Sequence, residues 1–238
     1  SSDSLSHGPG PGGAPVPMGI GPAEANSFVG TPEPTRVLGT SGIRGPVGET
    51  VTAELALSVG RAVGADAGSV VVARDVRDSG RALVDALAAG LVESGSDAVD
   101  LGVVTTPTAA RAVGRQDADA GVVVTASHNP PPDNGLKFWS PSGRAFGPER
   151  RETVADRITT ESFDLAAWDA HGDRRSWDGA ERAHRTALVD AGRREFAARD
   201  ADPSDLSVVV DVGTGTGGVT ADALSDLGAD VETLNARP

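Results

Sequence analysis

The chain has 238 residues, enough for one large α/β domain or two smaller ones. Its 34 acidic residues outweigh 21 basic ones, and the formal net charge of −13 argues against a nucleic-acid or anionic-membrane surface, because neutralising phosphates takes a clustered positive field. With no cysteine there is no disulfide framework and no thiolate nucleophile or metal ligand, and the four histidines (His7, His128, His171, His184) lack the H-x-x-x-H spacing of a zinc hydrolase.

Residues 1–36 hold seven Gly and seven Pro with little apolar periodicity, and read as a disordered arm. The arm lacks the basic start and apolar run of a secretory signal. The initial Ser and the internal Met18 leave open whether the natural start is represented. Order is expected from near Arg36. Residues 52–64 (TAELALSVGRAVG) carry apolar residues at helical spacing, with Thr52 as N-cap. Residues 70–73 suit a buried strand, 79–94 an Ala/Leu-rich helix and 97–104 a further strand. A helix is expected to open at Thr106 with Pro107 at its first position, and 121–125 reads as another buried strand. No run approaches the roughly 18 apolar residues of a membrane-spanning helix.

Residues 140–178 are polar and irregular, with room for a helix at 148–158. Residues 180–199 read as a surface helix whose stripe is Ala183, Ala187, Leu188, Ala191 and Phe196. A second unit then begins: linker 202–205, strand 206–212, a Gly-rich turn, helix 219–227 and strand 229–234. Alternating strands and helices imply an α/β fold, a three-layer α/β/α domain around a mainly parallel mixed sheet, followed by the start of a second similar domain. One β-α-β unit cannot bury both faces of its sheet, so the chain is expected to be part of something longer.

The segment richest in chemistry is GVVVTASHNPPPDNGLK at 121–137. A buried strand delivers Ser127 to the carboxyl edge of the sheet, where open α/β sheets bind ligands. His128 and Asn129 follow at once, Pro130 to Pro132 stiffen the loop, and Lys137 adds a cation. Hydroxyl, imidazole, amide and ammonium on one rigid loop suit phosphoryl transfer, which depends on positioning and charge stabilisation. The same residue types also make an ordinary turn that satisfies its own backbone.

TASHNPPPDNGLK resembles the active-site signature of the α-D-phosphohexomutases, the phosphoglucomutase/phosphomannomutase family, with Ser127 in the place of the phosphorylated serine. LGTSGIRG at 38–45 is similar to the family's amino-terminal motif, and ARDVRDSG at 73–80 to its G-R-D-x-R-x-S segment, with Ala73 in place of Gly. VVVDVGTGTG at 208–217 resembles the strand that opens the family's second domain. The four segments come in the family's order.

The resemblance implies an isomerase that moves phosphate between the 1- and 6-positions of a hexose phosphate. Phospho-Ser127 would give its phosphoryl group to the substrate, and the resulting hexose 1,6-bisphosphate, also the activator, would turn round and return its other phosphate. It further implies Mg²⁺ on the phosphoserine oxygen, completed by an Asp-x-Asp-x-Arg loop, oxygen ligands suited to a hard cation. Arg44, His128 and Lys137 take the catalytic positions beside Ser127, and Thr40, Ser41 and Asn129 the substrate-binding ones. Arg44, between Gly42 and Gly45, is expected in a tight turn that aims its fork at phosphate. Lys137, the single lysine among 21 basic residues, offers a tunable ammonium that guanidinium cannot replace. Arg74, Asp75 and Arg77 read as a supporting ion-pair network rather than substrate contacts.

The implied domains are the arm at 1–36, domain I at 37–200 and an incomplete domain II at 201–238. No Asp-x-Asp-x-Arg run occurs in the sequence, so the chain is expected to be inactive, or nearly so, by itself. A rival reading takes Gly213 to Gly218 as G-x-G-x-x-G after a strand, either a dinucleotide site with Glu232 as its acid or an S-adenosylmethionine site with Asp211 two residues before the first Gly. A third makes the serine loop a non-catalytic phosphate-binding turn. The choice of hexose (glucose, mannose or glucosamine) and the oligomeric state are not legible. Twenty arginines to one lysine, 23 Asp to 11 Glu and 3% aromatics fit a cytoplasmic protein of a salt-adapted organism, or a GC-rich genome.

Overall fold

A computed structural model describes residues 42–236 of the chain. The 1–36 arm, Thr40 and Ser41 lie outside the described residues. Thirteen regular elements follow from β1 (Ile43–Pro46): α1 (Ala53–Gly64), β2 (Ser69–Arg74), α2 (Gly80–Glu93), β3 (Asp97–Val103), α3 (Thr106–Arg115) and β4 (Ala120–Val124). After these come β5 (Asp133–Trp139), α4 (Pro148–Thr160), β6 (Arg174–Ser176) and α5 (Ala180–Ala198). A 3₁₀ turn at Pro203–Asp205 leads to β7 (Ser207–Asp211), α6 (Gly218–Leu227) and β8 (Asp230–Leu234).

The first six strands form one sheet in the order β1-β5-β4-β2-β3-β6. β4, β2, β3 and β6 run parallel, whereas β5 is antiparallel to both of its neighbours, β1 and β4. Burial on two faces explains the unbroken valines of the central strands. On β2, Val70 and Val72 enter a core with Val59 of α1, Leu83, Leu87 and Leu91 of α2, and Val154 of α4. Val71 and Ala73 face the other way, toward Ala109 and Val113 of α3 and Ala180 of α5. The layers are therefore α1, α2 and α4, then sheet, then α3 and α5: the expected three-layer α/β arrangement.

Local signals act largely as expected. Thr52 caps α1, its hydroxyl accepting from the Leu55 N–H at 3.1 Å. The cap of α3 is Thr105, whose hydroxyl accepts from Thr108 N at 3.1 Å, so Pro107 is the second helical residue rather than the first. A free N–H is unneeded at either position, which is why proline alone does not fix the register.

Two expectations are corrected. Residues 133–139 form strand β5 and not part of a loop, so Lys137 lies in mid-strand opposite Val123. Arg44 lies on strand β1 paired with Gly135, not in a tight turn. In both places ladder bonding to a neighbouring strand overrides the Gly and Asn signals. Beyond α5, β7 and β8 make a separate two-stranded parallel sheet. Its helix α6 meets α5 through Arg185, which binds Asp226 at 2.5 Å and Asp222 at 3.2 Å.

Candidate active site

The parallel strands β2, β3 and β4 end on one edge of the sheet. β4 passes into Thr125 and Ala126, both buried, and then Ser127 emerges, exposed. Ser127 has φ +58°, the left-handed region that residues with a Cβ avoid. Its N–H donates to Thr125 Oγ1 at 2.9 Å, and that hydroxyl donates to Asp75 Oδ2 at 2.6 Å. Asp75 follows β2 directly, and its N–H donates to the Val124 carbonyl, tying the two strand ends together. Asp75 also accepts from the Arg77 N–H and guanidinium, and Arg77 reaches the carbonyl oxygens of the serine loop.

Ser127, His128 and Asn129 line a cleft of about 1010 Å³. Asp75, Arg77, Thr105 and Thr106 line it too, as does the 212–216 turn. His128 Nδ1 stands 3.5 Å from Ser127 Oγ. Asn129 is held at both ends of its amide: Oδ1 accepts from Arg44 Nη1 at 3.1 Å, and Nδ2 donates to Asp133 Oδ2 at 2.8 Å. β1 thus sets Arg44 against the serine loop.

Lys137 does not line this cleft. It is half-buried on β5 and faces a neighbouring cavity of about 230 Å³, shared with Gly42, Trp139, Phe146 and Arg151. Thr106 borders both spaces. Burial and then the Arg44 charge push the Lys137 ammonium below the usual lysine range, with Asp75 opposing. Lys137 is thus electrically coupled to Arg44 on β1 and to Asp75 beneath the serine.

The structure brings Ser127, His128, Asn129 and Arg44 together and keeps Lys137 within electrostatic reach. Of the proposed network, Asp75 and Arg77 are joined, at 3.3 Å, whereas Arg74 donates to the Asp75 backbone carbonyl. Thr125 escaped the sequence reading. Its signal is a hydroxyl two residues before a loop serine, a spacing at which Thr accepts from the backbone N–H.

No group of three or more His, Asp or Glu able to hold a metal ion exists among the described residues. Asp75 is occupied by Thr125 and Arg77, and Asp133 by Asn129. The described residues therefore do not assemble a Mg²⁺ shell. The Gly-rich turn has Gly213 at φ +59° and Thr214 at φ +54°. Glu232 lies inside β8 opposite Val209, so it does not stand at the strand end where a ribose-binding acid belongs. There Asn235 donates to Asp211 at 3.0 Å instead.

Residues 35–165 match the family model of phosphoglucomutase/phosphomannomutase, alpha/beta/alpha domain I. Proteins described as probable phosphoglucosamine mutases are similar to the chain: that of Methanopyrus kandleri is 41% identical over 206 residues, 85% of this chain and 44% of the relative. That of Methanosarcina acetivorans is 41% identical over 204 residues, with the same coverage. A crystal structure of a phosphoglucomutase/phosphomannomutase family protein from Burkholderia thailandensis superposes with a TM-score of 0.66 at 31% identity, over 83% of this chain and 44% of that one. The chain spans less than half the length of these relatives.

Proposed function

Because this chain belongs to the phosphoglucomutase/phosphomannomutase family, we propose that it is the phosphoserine-bearing part of an enzyme that interconverts hexose 1-phosphate and hexose 6-phosphate. The observation that carries this reading is the setting of Ser127: an exposed hydroxyl held at positive φ, at the carboxyl edge of the sheet, in a cleft of about 1010 Å³. A nucleophile fixed this way is pre-positioned, and positioning supplies much of the rate in phosphoryl transfer.

In the forward step the bond from phosphorus to Ser127 Oγ breaks while a bond from a substrate hydroxyl oxygen to phosphorus forms. The substrate hydroxyl loses its proton, and Ser127 Oγ gains one. His128, with Nδ1 at hydrogen-bonding distance from Oγ, is the group placed to return that proton. The hexose bisphosphate then turns round, and the reverse exchange leaves the isomer and phospho-Ser127. Arg44 puts a cation beside the serine loop to balance phosphate charge, and Lys137, facing the neighbouring cavity, adds to the positive field through its coupling to Arg44 and Asp75. Asn129 orients Arg44 and keeps one amide N–H for substrate; Thr40 and Ser41 complete the substrate side. Mg²⁺ would neutralise the charge that develops on the transferred group, and its remaining ligands are assigned to a loop outside this chain.

The division into an arm at 1–36, domain I at 37–200 and an incomplete domain II at 201–238 belongs to the same proposal, as does a cytoplasmic site of action. Among the described residues no helix is long and apolar enough to cross a membrane. Glucosamine phosphate is the first substrate to test, because the relatives named above are described as phosphoglucosamine mutases. The test is ³¹P NMR of the whole enzyme with glucosamine, glucose or mannose 6-phosphate, Mg²⁺ and the matching bisphosphate. Formation of the 1-phosphate, abolished by Ser127→Ala, is expected. No interconversion of any of the three by a folded enzyme refutes the reading.

A further inference from the structure

Within the serine loop the backbone bonds to itself at two points, Asn129 N to the Ala126 carbonyl at 3.2 Å and Asp133 N to the Pro130 carbonyl at 3.1 Å. Pro130, Pro131 and Pro132 have no N–H, so the loop has fewer donors than carbonyls. Four of its carbonyls are tied down by one side chain. Arg77 Nη2 donates to the Ser127 carbonyl at 3.0 Å and to the Asn129 carbonyl at 2.7 Å. Nη1 donates to the Pro130 carbonyl at 2.8 Å and to the Asp133 carbonyl at 2.9 Å. Nε donates to Asp75 Oδ2 at 3.3 Å. A guanidinium has five N–H donors, and all five are engaged, four of them by the loop that carries the nucleophile.

From this we propose that Arg77 is the positioning residue of the nucleophile: with Asp75 and Thr125 it clamps the serine loop and fixes Ser127 in its left-handed backbone. The proposal rests on the reading of Ser127 as the phosphorylated group. With every donor occupied, Arg77 has none left for substrate, so it acts through the loop. Thr125 completes the clamp from below by accepting the Ser127 N–H while donating to Asp75. A non-glycine residue in this backbone region persists only when its surroundings over-determine it. The clamp has an electrostatic side as well. Carbonyl oxygens, which repel a phosphate, are turned onto a cation instead of toward the cleft.

Lysine cannot replace Arg77, because an ammonium keeps the charge but has three donors and no planar fork. In the whole enzyme, Arg77→Lys is expected to lower kcat on the order of a hundredfold, the cost of about 1 Å of misplacement, with KM changed far less. Hydrogen exchange of the 126–133 segment should quicken in Arg77→Lys while that of β2 and β4 stays as in the wild type. Thr125→Val should give the same pattern, and Thr125→Ser, which keeps the hydroxyl, should restore it. If Arg77→Lys leaves kcat and loop exchange unchanged, or raises KM alone, the clamp is refuted. Loop exchange needs no catalysis, so it decides on Arg77 even where wild-type enzyme gains no phosphate on Ser127, the result that would refute the mutase reading.

Discussion

Helices α1 and α2 meet backbone to backbone at Gly60 and Gly90. A methyl at Gly60 would press into the Leu87 carbonyl oxygen and sit 2.9 Å from Leu91 N and 3.0 Å from Gly90 Cα. The relation is reciprocal, since a methyl at Gly90 would meet the Leu57 carbonyl and lie 3.1 Å from Gly60 Cα. All of these neighbours are backbone atoms and cannot rotate aside. Ordinary contact begins near 3.4 Å, so Gly60→Ala must part the helices by at least half an ångström. The gain in helix propensity is about 0.8–1.0 kcal/mol. Against it stand overpacking, about 1–3 kcal/mol, and the loss of a quarter to a half of each dispersion well across the widened gap. Leu87 and Leu91, fully buried beside the crossing, lose the most. The net expectation is a loss of about 1–3 kcal/mol, a fall of roughly 0.3–1 M in the urea midpoint at fixed salt. Gly218→Ala is the control: nothing lies within 4 Å of its would-be methyl, so it should be neutral or gain up to about 1 kcal/mol. The double variant Gly60→Ala/Gly90→Ala should cost less than the sum of the singles, because one separation admits both methyls. A Gly60→Ala chain as stable as the wild type would refute the packing argument.

At Ser127 the left-handed backbone should make Ser127→Gly more stable than Ser127→Ala by about 1 kcal/mol in urea unfolding, although neither variant can carry phosphate. At Lys137 the lowered folded pKa means that the unfolded chain holds this proton more tightly. Stability should therefore rise with pH between the folded value and the ordinary lysine range, and Lys137→Met should remove that slope in midpoints followed from pH 7 to 10. If the Lys137 charge serves catalysis, Lys137→Arg should move the alkaline limb of kcat/KM upward. His184 is 5% exposed, its Nδ1 has no partner among the described residues, and burial with Arg111 and Arg115 pushes its pKa below 6.5. As pH falls from 6.5 toward that folded value the unfolded state takes up the proton first, so stability is lost there; His184→Leu should flatten the curve between pH 7 and 5.

The sequence announces the parallel core more clearly than the edge that completes the site. Runs such as residues 70–73 and 121–125 have no other plausible place than a sheet covered on both faces, and Thr52 marks its helix by capping chemistry alone. β5 was hidden because Asn134-Gly135 imitates a turn. Asn134 is in fact fully buried, donating to the Ser79 hydroxyl at 3.0 Å, and Gly135 is needed because a methyl there would meet the Ile43 and Thr125 carbonyls. Ser79 lies 55 residues back along the chain and Ile43 farther still, beyond any local signal. The same distance hid the work of Arg77: its type and motif suggested an ion pair, but only the folded chain shows its fork reaching across to residues 127–133. Ser127 and its neighbours were legible because the loop is one continuous motif.

The most direct measurement is the peptide mass of the whole enzyme after incubation with glucosamine or glucose 1,6-bisphosphate and Mg²⁺, beside Ser127→Ala. A single phosphoryl group on the peptide holding Ser127, lost on adding hexose monophosphate and absent in the variant, is the predicted result. An enzyme that interconverts hexose phosphates without ever carrying phosphate on Ser127, or that carries it on another residue, would contradict the account.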